Sequence, residues 1–355
     1  MERKGDLSSL LIWLIPMLLS FCGLVVIAAM TGWSGHSPAF KQLLWLSVSF
    51  ICFLAVMSIP LTVWTRVAWG AFAASFLFLG LTLAPGIGVT IKGASRWIHF
   101  GSFSFQPAEA LSFALLLLLV RLYQRNARQL KALAVTGGIV FLCAVFLLRQ
   151  PDFGSVLLIV ALSGALFVDR YGFLLPAGAL AVLTPLMYLV VMHQGYRQER
   201  IAVWLDPWSD PMGSGYQVIQ GLIAFANGGL SGIGVNRSQD FLPEVHNDFI
   251  FPAMGEQFGL IGTMVLLGCF IIWSFVALQV YRRSVGISKQ FAWGCCVSVI
   301  LPLFINIGGV TKLIPLSGMP LPFVSYGGTS LLFMWMRVGI LARVARESAQ
   351  GGDES

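Results

Sequence analysis

Ten apolar runs, most of them long enough to cross a bilayer, decide what this chain can fold into. A helix spanning the hydrocarbon core needs roughly 20 mostly apolar residues. The runs fall at about 10–30, 43–59, 68–83, 107–123, 132–148, 154–168, 173–191, 249–280, 291–310 and 326–344. Of 355 residues, 57% are hydrophobic and only 10% charged, against about 25% charged in ordinary soluble domains. A folded chain of this size still exposes a large surface, and so few charges do not build one that faces water. The sequence therefore predicts an all-α integral membrane protein with about ten transmembrane helices, residues 1–355 forming one polytopic domain. The run at 154–168 is short, and the one at 249–280 is long enough to tilt or to run past the membrane.

An even number of spans puts both termini on one side. With the N-terminus inside, 14 Lys and Arg residues, Arg337 among them, fall at cytoplasmic ends against 8 on the other side. That asymmetry favours cytoplasmic termini. Juxtamembrane cations facing anionic lipid explain the net charge of +7, so no nucleic-acid partner is called for. The first run is too long for a signal-peptide core and reads as a retained helix. Cys22, Cys52, Cys143, Cys269, Cys295 and Cys296 all lie inside apolar runs, with neither a disulfide framework nor metal-ligand spacing. No internal repeat of the transporter kind is visible.

The acids are unevenly placed. Seven of the 15 Asp and Glu residues lie between Glu199 and Glu256, in and just beyond a long extracytoplasmic loop at about 193–248 between helices 7 and 8. Loops of that length are functional or disordered, and Trp204, Trp208, Tyr216, Phe225 and Phe241 argue for order. Within the loop, Tyr216–Ala226 reads as an amphipathic or re-entrant helix. Three other stretches are not plain connectors. Residues 92–109 (KGASRWIHFGSFSFQPAE) end with Pro107 opening a helix and Glu109 in its first turn. Residues 149–155 (RQPDFGS) place Asp152 to cap the next helix. Residues 312–330 (KLIPLSGMPLPFVSYGGTS) predict broken backbone, tolerated near membrane depth only where protein or a watery cavity surrounds it.

These stretches resemble, in order and across residues 93–332, the SEDS family (shape, elongation, division and sporulation). The residues that carry the resemblance are GASRWIHFG with FQPAE, QPDFGS, DPWSDPMGSGYQVIQGLIAFANGGLSGIGV, FLPEVHNDFIFPAMGEQFGLIG and PLSGMPLPFVSYGGTSLL. GASRW and the PW-DP-GSGYQ run look closer to the division branch than to the elongation branch. The resemblance implies a ten-helix glycosyltransferase of the bacterial cytoplasmic membrane, at the division septum, that polymerises lipid II into peptidoglycan strands. It also implies a class B penicillin-binding protein and other divisome membrane proteins as partners.

Within the family's motifs, the aspartate required for activity falls at Asp248, and Glu244 belongs to the same loop. Arg96 and Glu109 also fall on motif positions, and with Glu244 they are expected to bind substrate. Asp248 is the expected general base, and the neighbouring Phe249 and Phe251 would raise its pKa towards a useful value. Arg200, Arg96, Lys312 or a divalent cation (magnesium or manganese) would stabilise the leaving pyrophosphate.

Each residue also has a plainer reading. Asp248 would cap the helix at Phe249, Glu244 would be a solvated loop charge, Arg96 and Glu109 a structural ion pair, and Lys312 an interface anchor. His99 and His246 lack partners at zinc spacing. The chain departs from the family at Ser112, where many members have Lys three residues after the Glu of QPAE, and at Lys312, where Gly is frequent. Two rival functions remain open at this point: a lipid II flippase, which needs ionisable residues inside several spans, and a non-catalytic division scaffold, for which Asp248 is dispensable.

Overall fold

The structure is a computed structural model that describes residues 3–91, 94–101, 103–124, 128–178, 195–235 and 247–350. Nine helices among the described residues are long and apolar enough to cross a membrane. They are α1 (Arg3–Thr31), α2 (Pro38–Ser58), α3 (Leu61–Leu81), α4 (Pro107–Gln124), α5 (Gln129–Arg149), α6 (Phe153–Tyr171), α9 (Ile250–Arg283), α10 (Gly286–Val310) and α11 (Gly328–Gln350). The shorter α7 (Gly195–Leu205) and α8 (Tyr216–Gly228) lie in the long loop. The tenth expected span, 173–191, lies outside the described residues beyond its first turn.

Local chemistry sets the helix ends. Ser37 accepts from the Phe40 amide ahead of Pro38. Asp152 accepts from the Ser155 amide at 3.2 Å, the cap expected of it. Pro107 opens α4, with Glu109 in its first turn and Arg121 in its last, the polarity that the helix dipole favours.

Helices α4, α10 and α11 are mostly buried, whereas α2, α3 and α5 keep most of their surface on the outside. Ile51, Leu77 and Phe141 are apolar side chains left exposed on that outer ring, as expected where the surrounding solvent is lipid. Trp273 donates to the Ile12 carbonyl and Trp293 to the Ala165 carbonyl, each at 2.9 Å, tying α9 to α1 and α10 to α6.

Three features differ from the sequence reading. Residues 88–105 hold a three-stranded antiparallel sheet, with β1 (Gly88–Ile91), β2 (Ala94–Phe100) and β3 (Phe103–Phe105) in the order β1-β2-β3. Helix α9 is not one long rod, because Gly259 is non-helical at φ 66° and ψ −167°. The groups freed by the break are met by the loop, whose Gly229 and Leu230 carbonyls accept from the Leu260 and Ile261 amides at 2.9 and 3.1 Å. Finally, Arg337 is no interfacial cation: it is fully buried in the middle of α11.

Candidate active site

The site is built on the irregular stretch 311–327, which follows α10 and turns back over its end. Its backbone leaves the helix at Thr311 and Lys312, the latter at φ 62°, and Leu313 and Ile314 both donate to the Gly308 carbonyl. A left-handed residue of this kind is where glycine is favoured, and in this chain a lysine occupies it.

Side chains from three helices hold the stretch in place. Arg200 of α7 donates from Nη1 to the Leu316 carbonyl at 2.6 Å, and Trp204 donates from Nε1 to the Lys312 carbonyl at 3.0 Å. From α2, the buried Gln42 donates to the Ser325 carbonyl at 3.1 Å. Asn306, buried near the end of α10, donates from Nδ2 to the Asp248 carbonyl at 2.9 Å and to the Met319 carbonyl at 2.7 Å. The Ser325 hydroxyl donates to the Asn247 carbonyl at 2.6 Å. The backbone on either side of Asp248 is thereby fixed to the 311–327 stretch.

Asp248 itself is half-buried. It is not the helix cap: Phe249 holds the N-cap position of α9, without a side-chain cap bond, and Asp248 stands one residue earlier. Against its carboxylate lies Gly318, at φ 74°, where an added β-carbon would stand 3.2 Å from Asp248 Oδ2. On the far side of Gly318, the start of α6 bears on the same stretch, a β-carbon at Gly154 being 2.6 Å from Met319 Cγ.

Arg96 reaches this neighbourhood through the backbone. Its Nε donates to the Gln150 carbonyl at 3.0 Å and its Nη2 to the Pro151 carbonyl, bracing the α5–α6 turn that leads into Asp152. The Asp152 carboxylate accepts from the Ser155 hydroxyl at 2.8 Å. Arg96 therefore does not pair with Glu109, contrary to the plainer reading. Glu109 is buried and faces Arg337 of α11, with Oε2 at 3.9 Å from Nη1. The counter-charge absent at Ser112 thus comes from another helix, and Arg337 also donates to the Ser112 hydroxyl at 2.5 Å.

Of the sequence-derived candidates, Asp248, Arg200 and Lys312 gather on one stretch of backbone. Arg96 adjoins it through the α5–α6 turn, and Glu109 lies in the helix core. Glu244 and His246 lie outside the described residues. Among the described residues no three His, Cys, Asp or Glu side chains gather to hold a metal ion. Elsewhere in the long loop, the pKa of the Asp210 carboxyl is held below its ordinary value by hydrogen bonds from the Ser214 amide, the Ser214 hydroxyl and the Gly213 amide.

Sequence reasoning missed Asn306, Gln42 and Arg337. Asn306 and Arg337 are lone polar residues inside apolar spans, a signal that by itself points to function or to a partner; Gln42, beside Lys41 at the edge of its span, gives no such signal.

The comparisons with known proteins agree with this architecture. The family model FTSW_RODA_SPOVE, described as "Cell cycle protein", matches residues 7–350. A relative from Halorhodospira halophila, named "Probable peptidoglycan glycosyltransferase FtsW", is 34% identical, with 99% of this chain and 93% of the relative covered. One from Coxiella burnetii with the same name is 33% identical, with 98% of this chain and 100% of the relative covered. A solved structure titled "Structural coordination of polymerization and crosslinking by a peptidoglycan synthase complex" superposes with a TM-score of 0.81 at 24% identity. It covers 95% of this chain and 97% of its own.

Proposed function

The chain belongs to the FTSW_RODA_SPOVE family of cell cycle proteins, and from that membership we propose that it joins lipid II units into glycan strands with Asp248 as the general base. It is a multi-pass membrane protein and a peptidoglycan glycosyltransferase. The observation that carries the choice of base is the fixed carboxylate: Asn306 and Ser325 hold the backbone at Asp248 and Asn247, and Gly318 abuts the side chain.

In the reaction, the 4-hydroxyl of one lipid II attacks the anomeric carbon of the other chain end. The new glycosidic bond forms as the bond to lipid pyrophosphate breaks, and the hydroxyl proton passes to the Asp248 carboxylate. An α-linked donor giving a β-1,4 link requires inversion, so one displacement with one base suffices. Glycosidases use a second carboxyl to protonate their leaving group; pyrophosphate instead needs charge neutralisation. Arg200 and Lys312 bring positive charge to the stretch that faces Asp248. Arg96, engaged with two carbonyls of the α5–α6 turn, braces the backbone that leads into Asp152. Glu244, on the same loop, is assigned to substrate binding by its motif position. A magnesium or manganese ion would add to the neutralisation, keeping water ligands where the protein offers few carboxylates.

The partner in this reading is a class B penicillin-binding protein that crosslinks the new strands, alongside other membrane proteins of the division machinery. Support comes from the division-type motifs and from relatives that carry the FtsW name. The location follows: the bacterial cytoplasmic membrane at the septum, with both termini cytoplasmic and Asp248 on the outer face.

Polymerisation of lipid II by the purified chain with its transpeptidase partner tests the assignment. Asp248→Asn keeps the shape and removes the base, and polymer yield is expected to fall about a hundredfold or more. Wild-type yield from the variant would remove Asp248 from the mechanism. Wild-type protein that moves lipid II across vesicles without polymerising it would favour the flippase reading instead. Omitting divalent cations in the same assay tests the metal.

A further inference from the structure

Where α1 begins and α2 and α11 end, the three helices leave a groove of about 620 Å³ between them. The residue sizes make the space. Gly339 brings α11 hard against α2, since a β-carbon there would stand 2.9 Å from Val56 Cγ1 and 3.0 Å from the Phe53 carbonyl oxygen. One turn further along α11, the small, buried Ala342 lines the groove, and Met57 lines it from α2. The opposite wall is α1, with Leu7, Leu10 and Trp13, and the Trp13 ring packs against Phe53 at 6.5 Å. Leu7 and Leu10 are exposed, so the groove opens on the surrounding lipid.

One cation stands at its mouth. Arg346, exposed and about 6 Å along the α11 axis from Ala342, lines the groove at its interfacial end. It makes no hydrogen bond or ion pair among the described residues. Its neighbour Glu347 is turned to other partners. That carboxylate pairs with Arg343 Nε at 2.8 Å and accepts from the Ser288 hydroxyl of α10 at 3.4 Å. Among the described residues no carboxylate lines the groove.

An apolar slot open to lipid, with an unpaired guanidinium at its interfacial end, has the polarity of a phospholipid lying alongside it. A guanidinium holds phosphate through paired N–H donors. A zwitterionic headgroup would bring a second cation to the same place, whereas an anionic one does not. We propose that this groove binds one anionic glycerophospholipid of the leaflet that these helix ends face, its phosphate on Arg346 and the first part of an acyl chain between α1, α2 and α11. The site is independent of the polymerase reading. Arg346 lies about 27 Å along α11 from Gly328, where the stretch facing Asp248 joins that helix.

Native mass spectrometry of the detergent-purified chain, titrated with phosphatidylglycerol or phosphatidylcholine of the same acyl chains, tests the proposal. One phosphatidylglycerol is expected to bind at about tenfold lower concentration than phosphatidylcholine. Arg346→Gln, at an exposed position, is expected to erase that preference. Arg283→Gln removes an exposed cation at the end of α9 that faces the same leaflet, and is expected to keep the preference within about twofold. Ala342→Leu fills the groove and is expected to weaken both lipids about fivefold. Glycerol 3-phosphate, a headgroup without chains, is expected not to displace the bound lipid. Equal losses from Arg283→Gln and Arg346→Gln would mean diffuse attraction between basic helix ends and anionic lipid, and would overturn the site. Displacement by glycerol 3-phosphate, or wild-type binding by a folded Ala342→Leu variant, would overturn it as well.

Discussion

Gly318 brings the irregular stretch up against the proposed base, and two separate constraints act on it. Its φ of 74° is costly for any residue with a β-carbon, and that carbon would stand 3.2 Å from Asp248 Oδ2. Gly318→Ala is therefore expected to displace the carboxylate, lowering polymer formation about tenfold with loss of only about 1 to 2 kcal/mol of stability. A glycan-length assay beside a melting curve in detergent checks both halves; unchanged polymerisation would show that Asp248 has room to spare. Asp248 was singled out in the sequence because it falls on the aspartate of HNDFIF, the motif position that the family resemblance marks. Asn306 and Gly318 were not legible as site residues. Their partners are Asp248, 58 residues from Asn306, and Met319, and only the folded chain brings them together. The same separation hid Arg337, which looked like one more cation near a helix end until α4 was placed beside it.

At the scale of elements, the length of the apolar runs located nine of the ten expected spans among the described residues, with ends that differ by up to seven residues, and the caps at Ser37 and Asp152 follow from side-chain chemistry that local sequence carries. The break in α9 did not follow. Glycine is common in membrane helices, so GEQFGLIG reads as unbroken, and the break is decided by backbone partners from residues 229–234. Gly259 sits at φ 66° with Gly232 N and Leu230 O where a β-carbon would go. Gly259→Ala thus meets strain and a backbone clash together. It is expected to cost about 3 kcal/mol or more and to separate α8 from α9, seen as a lower melting point and new protease cuts in the loop. Survival of both would mean the two halves of α9 pivot freely. The small sheet was missed for a different reason. Alternation in SRWIHF is short and sits amid glycines, a pattern that a loop shares, and its strands are stabilised by pairing (Ile98 opposite Phe105, His99 opposite Ser104) rather than by propensity.

For the molecule as a whole, composition settled that lipid is the solvent, yet it did not say which helices form the core. In lipid, hydrophobicity gives no inward direction, so buried and lipid-facing helices read alike; α3 and α4 are equally apolar, but the first is mostly exposed and the second mostly buried. Polar seams supply the direction instead, as at Glu109 with Arg337 and at Gln42 with Ser325. Moving Arg337 from the interface to the core leaves the cation asymmetry at 13 against 8, still favouring cytoplasmic termini. The proposed polymerisation of lipid II on the outer face requires that orientation, since Asp248 follows the long loop. The six native cysteines all lie in helices and are buried or half-buried, so a membrane-impermeant maleimide has little background to meet. Two exposed positions then report the sides: Ser209→Cys in the loop is expected to label in intact cells, and Gln129→Cys at the start of α5 only after permeabilisation. The opposite pattern would put Asp248 on the cytoplasmic face, where a crosslinking partner working on the cell wall has no access to the new strand.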